Sequence, residues 1–521
     1  MVKKKFFAKP LAKTALRLAF GAALVLSASL VFTACGRGAP RTDTLIVGAP
    51  SLPVSLDPTL SNDIPSGRAI LHIYDTLVDL DYDMLPRPNL AESWEWVDPQ
   101  NPTQLRVFLR SGVLFHNGDE LTANDVAFSL NRASIAPAIG ANAGMIQNAA
   151  AVNEREVLIT LEYPFVPLIN FLGHPSLSIV NERAVTEMGV DAHSQSPVGT
   201  GPYRVTNIVA GDRLELVRWE QHWGGPAALE NLVFRALPDA ATRLIALETG
   251  EIDVMITVLP QDMAHINNHP DLVLLNEMNL ATHYIAFNVS RPPFDDIRVR
   301  HAIQYAIDLD SMVQAVFMGA MAPATGPINQ MVWASAADRL DPFPFNPDRA
   351  RELLAEAGFP DGFSTTFYAY PHPQRVDTAE IMQNMLREVG IDMSVQVLEF
   401  GAFLAASNRG EPDIIAIAWI TVPGDPDHGL FGPFHTSTWG GGNRSFFSHP
   451  EVDVLLEAGR RETDPAVRAD IYYQVQRIVR EESPWIFQAT GAEIVGIRNN
   501  VQGFNVAPNM LHRFWNVSFA N

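Results

Sequence analysis

The chain has 521 residues, 37 Lys+Arg against 58 Asp+Glu and a formal net charge of −21, and its lysines stop early: they are Lys3, Lys4, Lys5, Lys9 and Lys13. A lysine-free body excludes a P-loop, the strand lysine of a protein kinase, the Ser-x-x-Lys of a penicillin-recognising enzyme and a pyridoxal-phosphate Schiff base, and its acidity argues against nucleic acid as a partner. The 47% hydrophobic and 18% charged content describe a globular chain long enough for two or three lobes, and the single Cys35 removes disulfide frameworks, cysteine zinc sites and iron-sulfur clusters.

Residues 1–17 form a basic region without acids, residues 18–32 (LAFGAALVLSASLVF) an apolar run, and Thr33-Ala34-Cys35 a small-residue end. This is the three-part pattern of an export signal. As a helix the run reaches about 22 Å, short of the ~30 Å hydrocarbon core, so an uncleaved membrane anchor is the weaker alternative. The end resembles a bacterial lipobox with Phe32 where Leu is usual, which implies a signal over 1–34 and a lipid on Cys35. Residues 35–43 then form a tether. Removing 34 residues leaves 31 arginines against 58 acids, a net charge of about −27.

The body opens with a short strand at Leu45-Ile46-Val47 and a Pro-rich loop, SLPVSLDP, at 51–58. A helix is expected near residues 68–77. Thr122 and Asp125 have capping-box spacing for a helix over 125–132. Alternation at Val157-Ile159-Leu161, Leu214-Leu216 and Met393-Val395-Val397 predicts half-buried strands, and the apolar run 413–420 (DIIAIAWI) a strand covered on both faces. Asn346 and Pro347 open a helix that Gly358 ends. Ile381, Met385, Leu386 and Val389 share the apolar face of a helix over 379–389 that Gly390 closes. The class is mixed α/β without the strict alternation of a TIM barrel and without a repeat.

Catalytic and metal signatures are weak. His265 and His269 stand at i, i+4, but no Glu of a His-Glu-x-x-His motif lies between them and Pro270 follows, so a solvated helix end is the simpler reading. Asp425, Asp427 and His428 in GDPDHG lack the EF-hand pattern. No Gly-x-Ser-x-Gly elbow occurs, and GTGPY at 199–203 is a tight turn rather than a dinucleotide fingerprint. No metal and no cofactor is expected. A carboxylate pair for glycoside chemistry remains open, since spacing in sequence does not give spacing in space.

Several longer segments form a series: SLDP at 55–58, the block 90–133 with Trp94, Arg110, Phe115, His116, Gly118, Thr122, Asp125 and Arg132, SPVGTGPYRV at 196–205, LETGEID at 247–253, the run 285–308 and NPDRARELLAEAGF at 346–359. Together they resemble the bacterial extracellular solute-binding proteins of family 5, the peptide/nickel/oligopeptide-binding lipoproteins of ABC importers. The resemblance implies a periplasmic-binding-protein-like (type II) α/β clamshell with two lobes and an additional inserted region. Lobe I would comprise 44–88, 196–283 and 491–521, the inserted region 89–195 and lobe II 284–490.

It also implies a non-enzymatic monomer, lipid-anchored outside the cytoplasmic membrane and in the periplasmic space if an outer membrane is present. That monomer would capture a peptide or related small polar solute and deliver it to permease and ATPase subunits. An oligosaccharide, opine or metal chelate in the same fold is the alternative, and a tethered hydrolase the distant one. The family's peptide binders hold the ligand amino group with an aspartate three residues after a tryptophan. Here Trp419 is followed by Val422 at that position, with Asp425 beyond. The implied cleft residues are Arg375 (for a ligand carboxylate, in the loop before the 379–389 helix), Trp419 as a stacking wall, Val422, Asp425, Trp439 and Asn443, with Ser51 to Asn62 as the opposite wall. The 90–133 block, His116 included, is expected to be scaffold.

Overall fold

The computed structural model describes residues 43–60 and 62–520. The export-signal, tether and Cys35 expectations lie outside them, apart from Asp43. Among the described residues no helix is long and apolar enough to cross a membrane.

The elements that position the site are, in chain order, β1 (Thr44–Ala49), α1 (Ile64–Ile73), β2 (Ala91–Trp96), β3 (Gln104–Leu109), α2 (Ala123–Ser134), β4 (Ile146–Asn153), β5 (Glu156–Leu161), β6 (Tyr203–Val209), β7 (Arg213–Arg218), β8 (Asn231–Ala236) and α3 (Ala240–Thr249). They continue with β9 (Val254–Ile256), β10 (Leu272–Phe287), α4 (Ile297–Ala306), α5 (Leu309–Phe317), β11 (Met321–Pro323), α6 (Pro347–Glu356), β12 (Phe363–Ala369), α7 (Pro373–Arg387), β13 (Ile391–Val397), β14 (Ile414–Ile420), α8 (Pro426–Phe434), α9 (Pro450–Gly459), α10 (Pro465–Glu482) and β15 (Trp485–Arg498).

One 11-stranded sheet runs in the order β13-β12-β14-β10-β15-β9-β1-β8-β7-β6, with β11 added against β15. The pairs β12/β13, β12/β14 and β1/β9 are parallel, and β10/β14, β10/β15 and β9/β15 antiparallel. A separate antiparallel sheet, β2-β3-β5-β4, is packed by α2.

The two long strands β10 and β15 pair from Leu272↔Arg498 to Ala286↔Trp485, with register breaks between Met278 and Thr282 and between His283 and Tyr284. Hydrophobic cores change along them. Ile285 and Phe287 of β10, with Ile486 and Ala489 of β15, belong to a core with α4, α5, α6 and α7. Leu272 and Ile494, further along the same ladder, belong to a core with α3 and β9. Residues 77–179 have a third core of their own around Val107, Phe115 and Phe171.

Local chemistry explains most boundaries. Asp125 Oδ2 accepts from both Thr122 N (3.0 Å) and Thr122 Oγ1 (2.9 Å), which fixes the start of α2. Asn346 Oδ1 accepts from Arg349 N at 3.0 Å, and Gly358 leaves α6 at φ +95°, a left-handed conformation natural to glycine. β14 reads as expected: Ile414 and Ala416 face one core, Ile415 and Ile417 the other.

Two expectations need correction. The helix placed at 68–77 runs from Ile64 to Ile73, because Asp63 caps it by accepting from Ser66 N (2.8 Å) and Tyr74 is already extended. The helix placed at 379–389 begins at Pro373, a residue suited to a first helical turn, so Arg375 stands in that first turn rather than in a loop. GTGPY is more than a turn: a Cβ on Gly199 would strike the Ile73 carbonyl, and Gly201 N donates to the same oxygen at 3.0 Å.

Candidate functional site

β14 alternates its side chains between two faces, so Trp419 follows Ile417 onto the face away from α7. The chain then turns at Gly424 (φ +69°) into α8, whose N-cap is Asp425 with Pro426 at the first position. Every residue of α8 is buried, so its carboxylates need partners within the protein. Asp425 Oδ1 and Oδ2 take Arg468 Nη2 and Nη1 at 2.7 and 2.8 Å. Asp427 Oδ2 and Oδ1 take Arg460 Nη2 and Nε at 2.9 and 3.2 Å. Burial opposes the charge of each guanidinium, but the facing aspartate outweighs it and raises the pKa of both.

Against α8 lies a small pocket whose walls include Asn62, Asn142, Phe171, Trp419, His428 and Phe431. The indole of Trp419 packs at 5.4 Å on the His428 ring, which Phe171 meets edge-on at 5.9 Å. Trp419 Nε1 is spent on the His428 carbonyl at 3.0 Å. Gly432 is required here, since a Cβ would come within 2.8 Å of Trp419 Cζ2. Two buried polar atoms of the pocket residues, Asn142 Oδ1 and His428 Nδ1, have no hydrogen-bond partner among the described residues. Burial, only partly offset by Asp425, pushes the His428 pKa down to about 4, so the ring is neutral.

The pocket joins segments far apart in the chain. Asn170 Nδ2 donates to Pro423 O (2.9 Å) and Val166 N to Arg460 O (2.9 Å). Arg460 Nη1 donates to the Tyr163 hydroxyl (3.0 Å) while its guanidinium lies 3.4 Å from the centre of the Phe431 ring and 5.0 Å from that of Phe165. Asp427 and Arg460 are therefore both an internal ion pair and a bridge to the 163–171 segment.

Arg375 lies elsewhere, near the carboxyl end of β12. It is 3% exposed, donates through Nε to the Tyr370 hydroxyl (3.1 Å) and through Nη2 to His283 Nδ1 (2.8 Å), and its Nη1 is buried without a partner. Among the described residues no carboxylate pairs with it. Burial, reinforced by the charge of Arg375, holds His283 well below its ordinary pKa and hence neutral. His283 stands opposite Ala418 in the ladder and Trp419 opposite Thr282, so Arg375 meets the sheet on the face opposite to Trp419.

Of the other expected residues, Val422 is buried in the turn after β14, and its carbonyl is 3.5 Å from Asn509 Nδ2. Asn443 is fully buried and spends Nδ2 on the carbonyls of His435 and Phe447 and Oδ1 on Ser445 and Phe447 N, which makes it the brace of its own loop. Trp439 is 45% exposed and donates to Phe447 O at 2.7 Å. Ser51 is exposed. Among the described residues of that loop, Asn62 alone reaches the pocket, touching Asn142 at 3.5 Å. His116 Nε2 is 3.0 Å from Gly201 O, a scaffold contact. His265 pairs with Glu248, and His269 Nδ1 accepts from Asp271 N at 3.2 Å.

The pocket thus brings together Trp419 and Asn62 of the expected set and adds Asn142, Phe171, His428 and Phe431. Of the wall residues outside the expected set, only Asp427 and His428 had a sequence signal, their place in GDPDHG, and there they stood as metal candidates. The others are ordinary core residue types until the fold joins them.

A family model described as "Bacterial extracellular solute-binding proteins, family 5 Middle" matches residues 86–441. The chain is 30% identical over 481 residues to the glutathione-binding protein GsiB of Pectobacterium atrosepticum, covering 90% of this chain and 93% of that one. Among solved structures, it is similar to the ABC transporter-associated periplasmic binding protein DppA of Helicobacter pylori in complex with the peptide STSA, at TM-score 0.86 and 27% identity over 91% of this chain and 98% of that one. A dipeptide-binding protein from a Pseudoalteromonas species in complex with Met-Leu gives TM-score 0.86 and 25% identity, covering 92% and 100% of the two chains.

Proposed function

The chain belongs to the bacterial extracellular solute-binding proteins of family 5, and we propose from this that it is the substrate-binding component of an ABC importer, which captures a short peptide or related small polar solute and passes it to a membrane permease. The observation that carries the reading is the pocket beside α8, walled by segments 62–171 and 419–460 that meet through direct hydrogen bonds. A solute that touches both walls favours the state in which they meet, and a binding protein of this kind works by that shift of population. Peptide is the favoured class because GsiB relatives and the DppA-type neighbours carry peptide or glutathione in their names.

In this reading lobe I comprises 44–88, 196–283 and 491–521, the inserted region 89–195 and lobe II 284–490. The boundaries at 283/284 and 490/491 fall inside β10 and β15, whose register breaks and change of core support a hinge there. Arg375, at the carboxyl end of the parallel strands β12 and β14, receives a ligand carboxylate, in the place where open α/β sheets take ligands. Trp419 is the stacking wall. Asp425 and Asn443 support it from behind, committed as they are to Arg468 and to their own loop. Trp439, Val422 and Ser51 border the cleft. The protein is a monomer without catalytic activity, held outside the membrane by a lipid on Cys35.

Mass spectrometry of the solute that copurifies with the protein tests this directly, together with incubation in peptide and glycan mixtures. Stoichiometric uptake of a peptide without turnover is the expected result. Formation of a hydrolysis product overturns it.

A further inference from the structure

Resting on that reading, we infer that the hairpin loop 81–85 is a clasp between the lobes: Met84, seated on Gly424 and tied to its turn through Asn170, holds the closed state without help from the solute and so sets how readily the cleft opens. Met84 and Asn170 act through closure, as positioning residues, and do not touch the solute.

The loop joins Val78–Leu80 to Pro86–Pro88, which pair antiparallel with Leu80 opposite Pro86. Asp81 N donates to Leu85 O (3.1 Å) and Met84 N to Asp81 O (2.9 Å), so three residues turn the chain, and the third, Met84, is left-handed at φ +61°. A three-residue hairpin loop normally has glycine at that place. Methionine there carries backbone strain, and its side chain finds its neighbours outside the hairpin. The base of the hairpin, Leu77 and Val78, belongs to the core of residues 77–179 together with Phe171 and Leu172. Met84 leaves that core and packs, partly buried, on the one that contains Ile415, Ile417 and Phe431 of lobe II.

Its seat is a second left-handed residue. Gly424 has φ +69°, and a Cβ on it would lie 2.6 Å from Met84 Cβ, so the side chain that glycine lacks is the room that methionine fills. Asn170 fastens the two sides. Its amide has two hydrogens, and Nδ2 lies 3.2 Å from Met84 O and 2.9 Å from Pro423 O. One carbonyl earlier, Val422 O faces Asn509 Nδ2 at 3.5 Å. Three consecutive residues of lobe II, 422–424, are thus gripped from the loop 81–85, from the inserted region and from the C-terminal segment of lobe I. Each of these contacts joins protein to protein. They favour closure before a solute adds its own contacts, and apparent affinity rises with the fraction of protein already in the binding-competent state.

The test is hydrogen exchange on the full chain with no solute added, read by mass spectrometry at two amides. Val166 N donates to Arg460 O at 2.9 Å across the same junction, whereas Leu109 N donates to Arg155 O at 2.8 Å within the inserted region. Met84→Gly gives the turn the residue it favours and removes the clasp, Met84→Leu keeps an apolar side chain of similar size, and Asn170→Ala removes the tie. Exchange at Val166 is expected to rise at least fivefold in Met84→Gly and Asn170→Ala and to stay within twofold of the parent in Met84→Leu, with Leu109 unchanged in all three. Unchanged Val166 exchange in Met84→Gly overturns the clasp. An equal rise at Leu109 assigns Met84 to general stability and overturns it as well. Because no solute enters the measurement, failure of the clasp is told apart from failure of the importer reading, which rests on capture of a solute.

Discussion

Arg375 Nη2 donates to His283 Nδ1 at 2.8 Å, so the imidazole of β10 is the neutral tautomer with its proton on Nε2. The arginine thus holds hydrogen bonds to two neutral groups, this imidazole and the Tyr370 hydroxyl, but no countercharge, and replacing it separates stability from binding. Arg375→Met removes a buried charge at the cost of two unfilled acceptors, so the melting temperature of the solute-free protein should move by no more than a few degrees. Solute affinity should fall about 10- to 100-fold, the worth of a hydrogen bond to a charged group. Calorimetric titration beside a thermal scan reads both. A large drop in melting temperature with unchanged affinity would assign Arg375 to scaffold.

Stability should decline as pH falls below about 6.5, the ordinary histidine pKa. His72 is fully buried, bonded through Nδ1 to Arg68 O at 2.8 Å and through Nε2 to Phe514 N at 3.1 Å. Burial pushes both His72 and His428 down to about 4. Between about 6.5 and 4 the unfolded chain binds protons at these rings that the folded chain does not, so each loses about 1.4 kcal/mol of stability per pH unit in that window, and their effect is flat above it. His222 acts in the other direction, since Asp75 more than offsets its burial and raises it. Denaturant titrations at pH 7.5 and 5.5 should show the fall, and His72→Gln should flatten it.

Asp425→Ala should destabilise the protein without abolishing recognition. It strands Arg468, which is buried and bonded to both carboxylate oxygens, and breaking one side of such a pair costs about 3–5 kcal/mol. The expected readout is a melting temperature lower by several degrees, with solute still bound at low temperature.

Val422→Asp places a carboxylate in the buried turn after Trp419. Binding of peptides with a free amino end should improve at least tenfold relative to their acetylated forms. An unchanged ratio in calorimetric titration would remove Val422 from the solute's surroundings.

Tyr163→Phe deletes the 3.0 Å hydrogen bond from Arg460 Nη1 and keeps the ring that the guanidinium faces. A hydrogen bond from a charged group is worth about 1.5–3 kcal/mol, so solute affinity should weaken about tenfold or more, chiefly through faster dissociation in stopped-flow fluorescence. Faster association with no change in dissociation would mean that the bond does not hold the walls together.

Much of the scaffold was legible because its signals are local. Thr122 and Asp125 announce α2, Asn346 and Pro347 announce α6, and the apolar run after Asp413 announces β14. Arg375 was misplaced because nothing before Ala379 marks an apolar helical face, whereas Pro373 opens the helix regardless. The pocket was only partly legible. Trp419 could be found by its neighbours in the chain, but Asn142 lies 277 positions away from it, and its meeting with His428 depends on how two sheets come together. Asn443 shows the converse: its four hydrogen bonds turn it inward to its own loop, a commitment that residue type does not reveal.

The place of β15 in the sheet bears on synthesis. It is the last long strand to be made, yet it lies between β10 and β9 in the interior of the sheet. Until residue 498 is free to pair, β9 and β10 each lack the neighbour that joins them, and the folding chain has two separate half-sheets with open edges. Final assembly is therefore a late event that closes loops of roughly two hundred residues or more, which makes it slow by topology alone. Loss of the last forty residues would remove the seam of the molecule rather than trim its end.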